Sequence, residues 1–322
     1  MVPLTIHDLS VQPWTTQVIF AAVRLGIFTI LSRGGMTAEE AAARCGAVPA
    51  ILAALLDACA AMRLLELRDG IYSLSDFSRA HLVEGEPGYA GDLVRLQHDE
   101  APHWHRLHDI VTGEDVHASE ETSGSDAHRT FIRAMNDLGM LGEADALAGA
   151  VDLSGRREMV DAGGGSGLYS VTLLRAYPGL RATILDRKET LAVTEEMIAG
   201  TAEEERITLR EADITKDAFG TDVDVVLLSD VVYDERDVVR VLKSARDCLR
   251  KDGLLVVRGY YSDPGNPERL FGALFVLNQL VFDSSRSVLT AESLREHVES
   301  IGFHVLHAGP LTERSTVLMA RT

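Results

Sequence analysis

The first third of the chain has the hydrophobic periodicity of helices followed by a short alternating stretch. Apolar residues recur at helical spacing over residues 15–32, which predicts one helix with a broad apolar stripe. A second helix is predicted from Thr37, because Glu40 follows at capping-box spacing, and a third over residues 48–65. LELRDGIYSLS then predicts two strands around an Asp-Gly turn. Helix, helix and hairpin in this order are typical of a winged-helix domain.

The rest of the chain changes from helices to alternating strands and helices. Residues from about 93 to 150 have helical periodicity, interrupted at 114–126 by a polar stretch that predicts a surface loop. From Arg157 the predicted strands are REMVDAG, RATILD, RITLREAD, VDVVLLSD, GLLVVRGYY, FHVLHAGPL and STVLMAR. Helices are predicted near 168–177, 188–200, 235–250, 267–282 and 291–301. This alternation predicts an α/β fold with a doubly wound, mostly parallel sheet, whose ligand binds at the carboxyl ends of the strands.

Charge and apolar surface limit the partners. The 322 residues include 31 basic and 49 acidic side chains, for a formal charge of -18, which argues against nucleic acid and anionic membranes as partners. The helix at 48–62 stands where a winged helix reads DNA, but it contains no Lys or Arg. This helix and the stripe at 15–32 would leave large apolar patches exposed, so we expect them to form a homodimer.

The cysteines and the N-terminus indicate a cytoplasmic protein. Cys45, Cys59 and Cys248 are widely spaced and form no CxxC motif, as expected of thiols in a reducing compartment. The N-terminal stretch has neither a basic segment nor an apolar core typical of a signal peptide. No apolar run approaches the roughly 18 residues that a membrane span needs.

The stretch MVDAGGGSGLYSV carries the main candidate chemistry. Its glycines fit neither the G-x-G-x-x-G spacing of a dinucleotide site nor a P-loop, which needs a following GK[ST]. The spacing is instead acid-x-G-x-G-x-G, formed by Asp161, Gly163, Gly165 and Gly167. Such a turn lets the backbone approach a compact ligand and adds a carboxylate for a cationic group. S-adenosylmethionine (SAM) has that group in its methionyl ammonium and has no pyrophosphate.

Two further acids and one methionine support SAM as the cofactor. Asp186 ends the next predicted strand, where a carboxylate can accept both ribose hydroxyls. Asp213 ends the strand after that and can receive the adenine amino group. Met135, in the helix before the turn, can lie near the sulfonium.

With these residues in view, the chain resembles the SAM-dependent O-methyltransferases of the plant caffeate and bacterial polyketide-tailoring type. The resemblance rests on W..L at 104–107, FIRAM at 131–135, the DAGGGSG turn and FGALFVLNQLV, and it covers nearly the whole length. It implies a class I methyltransferase fold over residues 93–322, a winged-helix dimerisation domain over residues 1–92 and an intertwined homodimer.

The same resemblance implies a small acceptor, often aromatic or a natural product. The helices that cover the SAM site in this family contain Trp104, Phe131 and Phe275 here, so these are candidate acceptor-lining residues. Asn278 is an amide within an apolar helix and is our candidate for an orienting hydrogen bond, because a buried amide needs a partner.

The chain departs from the family at the catalytic base. Family members carry a strand end similar to S-H-V-L-H-D-W, whose second His is the base, whereas this chain has LSDVVYDERD. Aligning Ser229 with the family serine places Tyr233 at the base and Asp234 after it. An alternative register, anchored on the later Asp-Glu pair, places Asp230 there. The family's orienting acid is replaced by Val288.

The loss of the histidine widens the range of reactions. An imidazole titrates near ~6.5 and accepts a hydroxyl proton at neutral pH, whereas a tyrosine with a pKa near ~10 donates. We therefore predict SAM-dependent methyl transfer to an oxygen, carbon or nitrogen of a small acceptor. The alternative is non-methylating use of SAM, such as cyclisation of its methionyl chain with release of methylthioadenosine. No metal is expected, since the His-Asp pair that supplies ligands in related enzymes is missing.

Overall fold

The computed structural model describes residues 5–114, 125–262 and 270–322. The chain divides into two compact units, Met1–Ala101 and Pro102–Thr322. The polar stretch predicted as a loop at 114–126 lies almost wholly outside the described residues, as does the beginning of the helix predicted at 267–282.

The first unit has the helix, helix and hairpin order expected of a winged helix. Its apolar core includes Phe28, Leu52, Leu56 and Tyr72, all buried. The elements are α1 (Ile6–Arg24), α2 (Ile27–Leu31), α3 (Ala38–Cys45), α4 (Pro49–Ala61), β1 (Leu65–Arg68), β2 (Ile71–Leu74) and α5 (Asp76–His81).

The single helix predicted at 15–32 is wrong, because two helices occupy that region. Gly26 has φ +67°, a left-handed conformation that ends α1 at Arg24 and starts α2 at Ile27. The first helix also begins earlier than predicted, at Ile6, where Thr5 and Asp8 form a capping box. Glycine therefore interrupts an apolar stripe that continues in sequence.

The apolar helix α4 buries only one of its faces. Leu52, Leu56 and Cys59 are buried, whereas Ile51 is 70% exposed, and Trp14 of α1 is also 70% exposed. In the described part of the chain no single helix is long and apolar enough to cross a membrane; α3 and α4 meet those limits only as a pair, bent by 112°.

The second unit is built on a seven-stranded sheet. Its strands are β3 (Glu158–Ala162), β4 (Arg181–Asp186), β5 (Ile207–Glu211), β6 (Val223–Ser229), β7 (Leu249–Gly259), β8 (His304–Pro310) and β9 (Thr316–Arg321). They lie in the order β5-β4-β3-β6-β7-β9-β8, with the first five parallel and β9 antiparallel to both neighbours. The predicted α/β, doubly wound, mostly parallel sheet is confirmed.

The remaining helices precede these strands or alternate with them. Helix α6 (Gly91–His105) crosses the boundary between the two units along the chain. The helices of the second unit are α7 (Leu107–Thr112), α8 (Ser125–Leu138), α9 (Ala144–Ala150), α10 (Leu168–Ala176), α11 (Lys188–Ile198), α12 (Glu235–Cys248), α13 (Leu270–Phe282) and α14 (Ala291–Ser300), and α10, α11, α12 and α14 pack against strands of the sheet. A kinked turn, Gly139–Glu143, in which Leu141 and Gly142 depart from helical geometry, separates α8 from α9. The strand order reverses between β3 and β6, so a crevice forms at the carboxyl ends of these two strands, where ligands bind in such sheets.

Candidate active site

Asp161 stands at the end of β3 with one carboxylate oxygen unused. The residue is 1% exposed, and its Oδ2 accepts a hydrogen bond from Ser170 Oγ at 2.7 Å. Its Oδ1 is buried and has no hydrogen-bond partner within the chain. Burial raises the pKa of Asp161 to about 7. A buried oxygen of this kind fits a ligand that brings its own donor.

The predicted glycines serve two different physical purposes. Gly163 has φ +77°, and a Cβ there would lie 2.4 Å from Val231 Cγ1. Gly167 has φ +80° and precedes α10, and a Cβ there would lie 2.9 Å from Ile198 Cγ2. Gly165 has φ +55° but no atom within 4 Å of its Cβ position. The outer two glycines are required by packing, whereas the middle one borders open space.

Asp186 joins the end of β4 to the glycine turn. Its Oδ2 accepts the Gly165 N–H at 3.0 Å, and its Oδ1 accepts the Arg187 N–H at 2.8 Å. The carboxylate is half-buried at the strand end. The structure therefore brings Asp161, Gly165 and Asp186 together at adjacent strand ends, and the ribose contact of Asp186 stays a prediction.

Asp213, just beyond β5, is bound within its own turn. Its Oδ1 accepts from Thr215 Oγ1 at 2.6 Å, and Lys216 Nζ contacts Oδ2 at 2.5 Å. The hydrogen bonds from Lys216 and Thr215 hold the pKa of Asp213 well below its usual range. The carboxylate that we assign to adenine is thus already ionised and oriented by two neighbours.

Helix α8 carries two of the predicted residues. Met135 is half-buried, and Phe131 is 42% exposed. Contacts with α11 hold the helix, since His128 Nε2 lies 3.1 Å from Thr190 Oγ1 and Arg129 pairs with Glu196. The positions of Met135 at the sulfonium and of Phe131 at the acceptor stay predictions.

Tyr233 and Asp230 lie within hydrogen-bonding distance of each other just beyond the end of β6. Tyr233 Oη donates to Asp230 Oδ1 at 2.5 Å and accepts the Tyr260 N–H at 3.1 Å. Burial raises the pKa of Tyr233 well above 10, so its side chain is a neutral phenol. Ser229, beside them, is buried and its Oγ has no hydrogen-bond partner within the chain. The two residues that we aligned alternatively with the base thus form one hydrogen-bonded pair.

Asp234 occupies the N-terminus of α12. Its Oδ1 accepts the Arg236 N–H at 2.9 Å, and its Oδ2 pairs with the guanidinium of the same residue. Arg286 lies 3.8 Å away. These contacts hold the pKa of Asp234 below its usual value against its burial. The Asp234 carboxylate therefore caps the first turn of α12 and forms an ion pair with Arg236.

A buried ion-pair network behind Asp230 was not anticipated from the sequence. Arg258, on β7, is 0% exposed, and its Nη2 lies 2.6 Å from Glu143 Oε2 while its Nη1 contacts Asp230 Oδ2. Glu143, also 0% exposed, accepts from Thr312 Oγ1 at 2.8 Å and Ser315 Oγ at 2.5 Å. The only available signal was one arginine inside an apolar strand.

Aromatic rings pack against this pair. The Phe275 ring lies 4.9 Å from that of Tyr233 and 5.1 Å from that of Tyr260, centre to centre. On the same helix, α13, Asn278 Oδ1 accepts the indole N–H of Trp104 at 2.9 Å. The structure therefore brings Phe275 to the predicted base position and pairs two of the other three predicted acceptor residues, Trp104 and Asn278, with each other.

These strand ends fit SAM. The unpartnered Asp161 Oδ1 suits an ammonium group, the open space at Gly165 suits a ligand against the backbone, and Asp186 offers a carboxylate beside them. Within residues 5–114, 125–262 and 270–322, no group of three or more His, Cys, Asp or Glu side chains could hold a metal ion.

The seven-stranded sheet with an antiparallel final strand and a glycine-rich SAM site at its switch point defines a class I methyltransferase. A family model of the O-methyltransferase domain matches residues 91–304, and one of the O-methyltransferase dimerisation domain matches residues 8–84. The protein belongs to this O-methyltransferase family and is a SAM-dependent methyltransferase. The predicted enzyme class, fold class and cofactor are confirmed.

Its relatives act on varied acceptors. It is 32% identical over 302 residues to a 3-hydroxy-5-methyl-1-naphthoate 3-O-methyltransferase of Streptomyces sahachiroi, covering 90% of this chain and 86% of the relative. It is 28% identical to the N,N-dimethyltransferase OxyT of Streptomyces rimosus, covering 90% and 87%. The human N-acetylserotonin methyltransferase structure with SAM superposes with a TM-score of 0.88 at 22% identity, covering 98% and 96%.

Proposed function

We propose that this enzyme methylates a hydroxyl group or amine of a small, flat, aromatic natural product. The observation that carries this proposal is the composition of α13. This helix is apolar along its length, yet among its residues only Gly272 and Val281 are buried. Its Phe275 ring packs at a tilt against Tyr233 of the Tyr233–Asp230 pair. An apolar helix face with a few polar groups beside it suits a planar ring that carries one reactive substituent.

Each of the predicted cofactor residues at the strand ends has a separate role in binding SAM. Bound SAM supplies an electrophilic methyl group on its sulfonium. Asp161 accepts a hydrogen bond from the methionyl ammonium, Gly165 lets the backbone approach, and Asp186 accepts the ribose hydroxyls. We further assign the adenine amino group to Asp213, and the surroundings of the sulfonium to Met135 and Ser229. Gly163 and Gly167 hold the turn in the shape that this requires.

The acceptor residues orient the nucleophile. Trp104, Phe131 and Phe275 bound the ring, and Asn278 is fixed by Trp104 so that its amide presents one orientation. Tyr233 remains a neutral phenol whose proton is directed to Asp230, and Asp234 fixes the start of α12 next to it. Holding the acceptor in line with the methyl group supplies much of the rate enhancement, because positioning alone is worth several kcal/mol.

We also propose a homodimer formed through α1 and α4, in the cytoplasm, without nucleic-acid or membrane partners. The match to a dimerisation domain and the exposed Trp14 and Ile51 support the dimer. The three cysteines, none of them in a disulfide, support a reducing compartment. The formal charge of -18 opposes polyanions.

Methyl-labelled SAM tests the proposal. The protein is incubated with the label and a panel of hydroxynaphthoates, hydroxyquinones and aromatic amines, and the products are identified by mass spectrometry. We expect S-adenosylhomocysteine and a labelled acceptor in equal amounts, and a large loss of both in Asp161→Ala. Release of methylthioadenosine without S-adenosylhomocysteine would mean that the methionyl chain is the substrate, and would overturn the proposal.

A further inference from the structure

Asp230 combines a left-handed backbone with a partly exposed carboxylate at the end of β6. Its φ is +58°, a conformation that aspartate adopts more readily than most residues. Its carboxylate stands at the end of β6, at the crevice, and is 28% exposed, whereas its partner Arg258 is fully buried and its partner Tyr233 is half-buried. Its backbone N–H is fixed by Arg258 O at 2.9 Å. The backbone at the end of β6 thus places a partly exposed carboxylate at the crevice.

The hydrogen bonds leave Asp230 better suited than Tyr233 to take a proton. The phenol oxygen of Tyr233 already donates to Asp230 and accepts from the Tyr260 N–H. Asp230 accepts one hydrogen bond at each oxygen, from Tyr233 and Arg258, whereas a carboxylate offers about four acceptor positions. The exposed edge of Asp230 can therefore accept a further proton.

We propose that Asp230 takes up the acceptor's hydroxyl proton, and that Arg258, anchored by Glu143, is the positioning residue that holds Asp230 in place. This inference rests on the methyl transfer proposed above and specifies a hydroxyl acceptor. The acceptor oxygen forms its bond to the methyl carbon as the carbon–sulfur bond breaks, with that electron pair remaining on sulfur. The O–H proton passes to the Asp230 carboxylate and then to water at its exposed edge.

The charges around Asp230 set its basicity. Burial raises its pKa above the usual aspartate value, and the Arg258 guanidinium limits that rise. Glu143, behind Arg258, adds a second negative charge that raises it. The groups that face Asp230 are Arg258 from β7, Glu143 from the kinked turn, Tyr169 from α10, and Tyr233, Tyr260 and Tyr261 from the strand ends. The base form is the carboxylate, so activity is lost as the pH falls through its pKa.

Two variants that remove charges of opposite sign near Asp230 test the inference. Rates are measured against pH with a hydroxynaphthoate acceptor at saturating SAM. In Arg258→Gln, the acidic limb of the profile should move to higher pH, because a stabilising positive charge is lost. In Glu143→Gln it should move to lower pH, because a negative charge is lost. In Asp230→Asn turnover should fall by about 10²- to 10⁴-fold, the range for a general base, with SAM affinity changed by only a few-fold.

A second measurement does not depend on turnover. Carboxyl ¹³C NMR of aspartate-labelled protein without SAM, with Asp230→Asn to identify the signal, should report the same two opposite pKa shifts. Arg258→Lys retains the charge and should move the pKa less than Arg258→Gln, which keeps the test usable if the glutamine variant unfolds. Asp247→Asn, an exposed aspartate late in α12, is the matched control and should change neither measurement.

Two results would overturn the inference. One is wild-type turnover of the hydroxyl acceptor in Asp230→Asn, and the other is an acidic limb that stays in place in both charge variants. Failure of the proposed function is distinguishable, because wild-type protein would then form no methylated acceptor at all.

Discussion

Asp234 and Val288 face each other across an isolated antiparallel bridge. The bridge aligns the two segments closely, since the Leu289 N–H donates to Tyr233 O at 3.2 Å and the Glu235 N–H donates to Ser287 O at 2.9 Å. Val288 therefore lies beside the predicted base position, where the family resemblance implies an acid. An apolar side chain stands there, and the nearby carboxylate comes instead from Asp230 at the end of β6.

The Tyr233 hydroxyl should matter for turnover and little for cofactor binding. In Tyr233→Phe, Asp230 loses one of the donors that stabilise its ionised form, so we expect the acidic limb of the rate profile to move to higher pH. At a pH below that limb, turnover should fall about tenfold for each pH unit of the shift. Tyr177→Phe is the matched control, because it also removes one partly buried tyrosine hydrogen bond, to Val151 O, away from the strand ends. Equal turnover in the two variants would contradict the prediction.

Alanine at two neighbouring glycines should separate folding from binding. Gly163→Ala places a Cβ 2.4 Å from Val231 and should lower the free energy of unfolding by about 2 kcal/mol or more. Gly165→Ala meets no protein atom, so it should cost only about 1 kcal/mol of backbone strain while weakening SAM binding at least tenfold. Urea denaturation and calorimetric titration with S-adenosylhomocysteine measure the two effects. Unchanged affinity in Gly165→Ala would place the cofactor elsewhere.

Titration of Asp161 should lower the free energy of unfolding as the pH rises, which is the reverse of the usual effect of an aspartate. Its pKa in the folded protein is about 7, above the ~3.9 of an unfolded aspartate. Between these values the folded state holds a proton that the unfolded chain has released, so this group's contribution to stability falls as the pH rises from about 4 to about 7. The loss is at most about 4 kcal/mol. The free energy of unfolding, measured by urea denaturation without SAM across this pH range, should fall in wild-type protein relative to Asp161→Asn. The same pH dependence in both proteins would refute the prediction.

Substituting aspartate for exposed apolar residues of α1 and α4 should dissociate the proposed dimer. Light scattering of the wild-type protein should give twice the chain mass of 35.0 kDa. Trp14→Asp combined with Ile51→Asp should shift it toward the single-chain mass, because both side chains are 70% exposed in one chain and would be buried by a partner. Leu306→Asp, on β8, is a control that should leave the mass unchanged. A wild-type monomer at micromolar concentration would contradict the homodimer.

Local patterns predicted most of the fold. Capping residues such as Thr37 and the apolar strand runs act over a few positions, so they identify elements and the α/β class directly. The break at Gly26 was missed because the apolar stripe continues on both sides, and periodicity alone does not reveal a left-handed residue. The glycine turn was identified because its residue types and spacing lie within seven positions.

The buried network could not be predicted in the same way. Glu143 and Arg258 are 115 positions apart, and their contact depends on how the kinked turn between α8 and α9 lies relative to β7. The sequence places Arg258 among valines and leucines, which marks it as unusual but does not name its partner. The choice between Tyr233 and Asp230 could not be made from the sequence for a similar reason. A sequence alignment assigns the base position to one residue or the other, whereas in the folded protein the two side chains are hydrogen-bonded at that position.

The complete burial of the Glu143–Arg258 pair restricts how this enzyme can diverge. Arg258 also pairs with Asp230, and Arg314 Nε lies 3.6 Å from Glu143 Oε1, so the pair belongs to a larger charged network. Loss of Arg258 leaves the Glu143 and Asp230 carboxylates without their shared cation, and breaking a buried ion pair in this way typically costs about 3–5 kcal/mol. The effect of a substitution at Glu143 or Arg258 therefore depends on the residue at position 230, and these three positions should vary together among relatives.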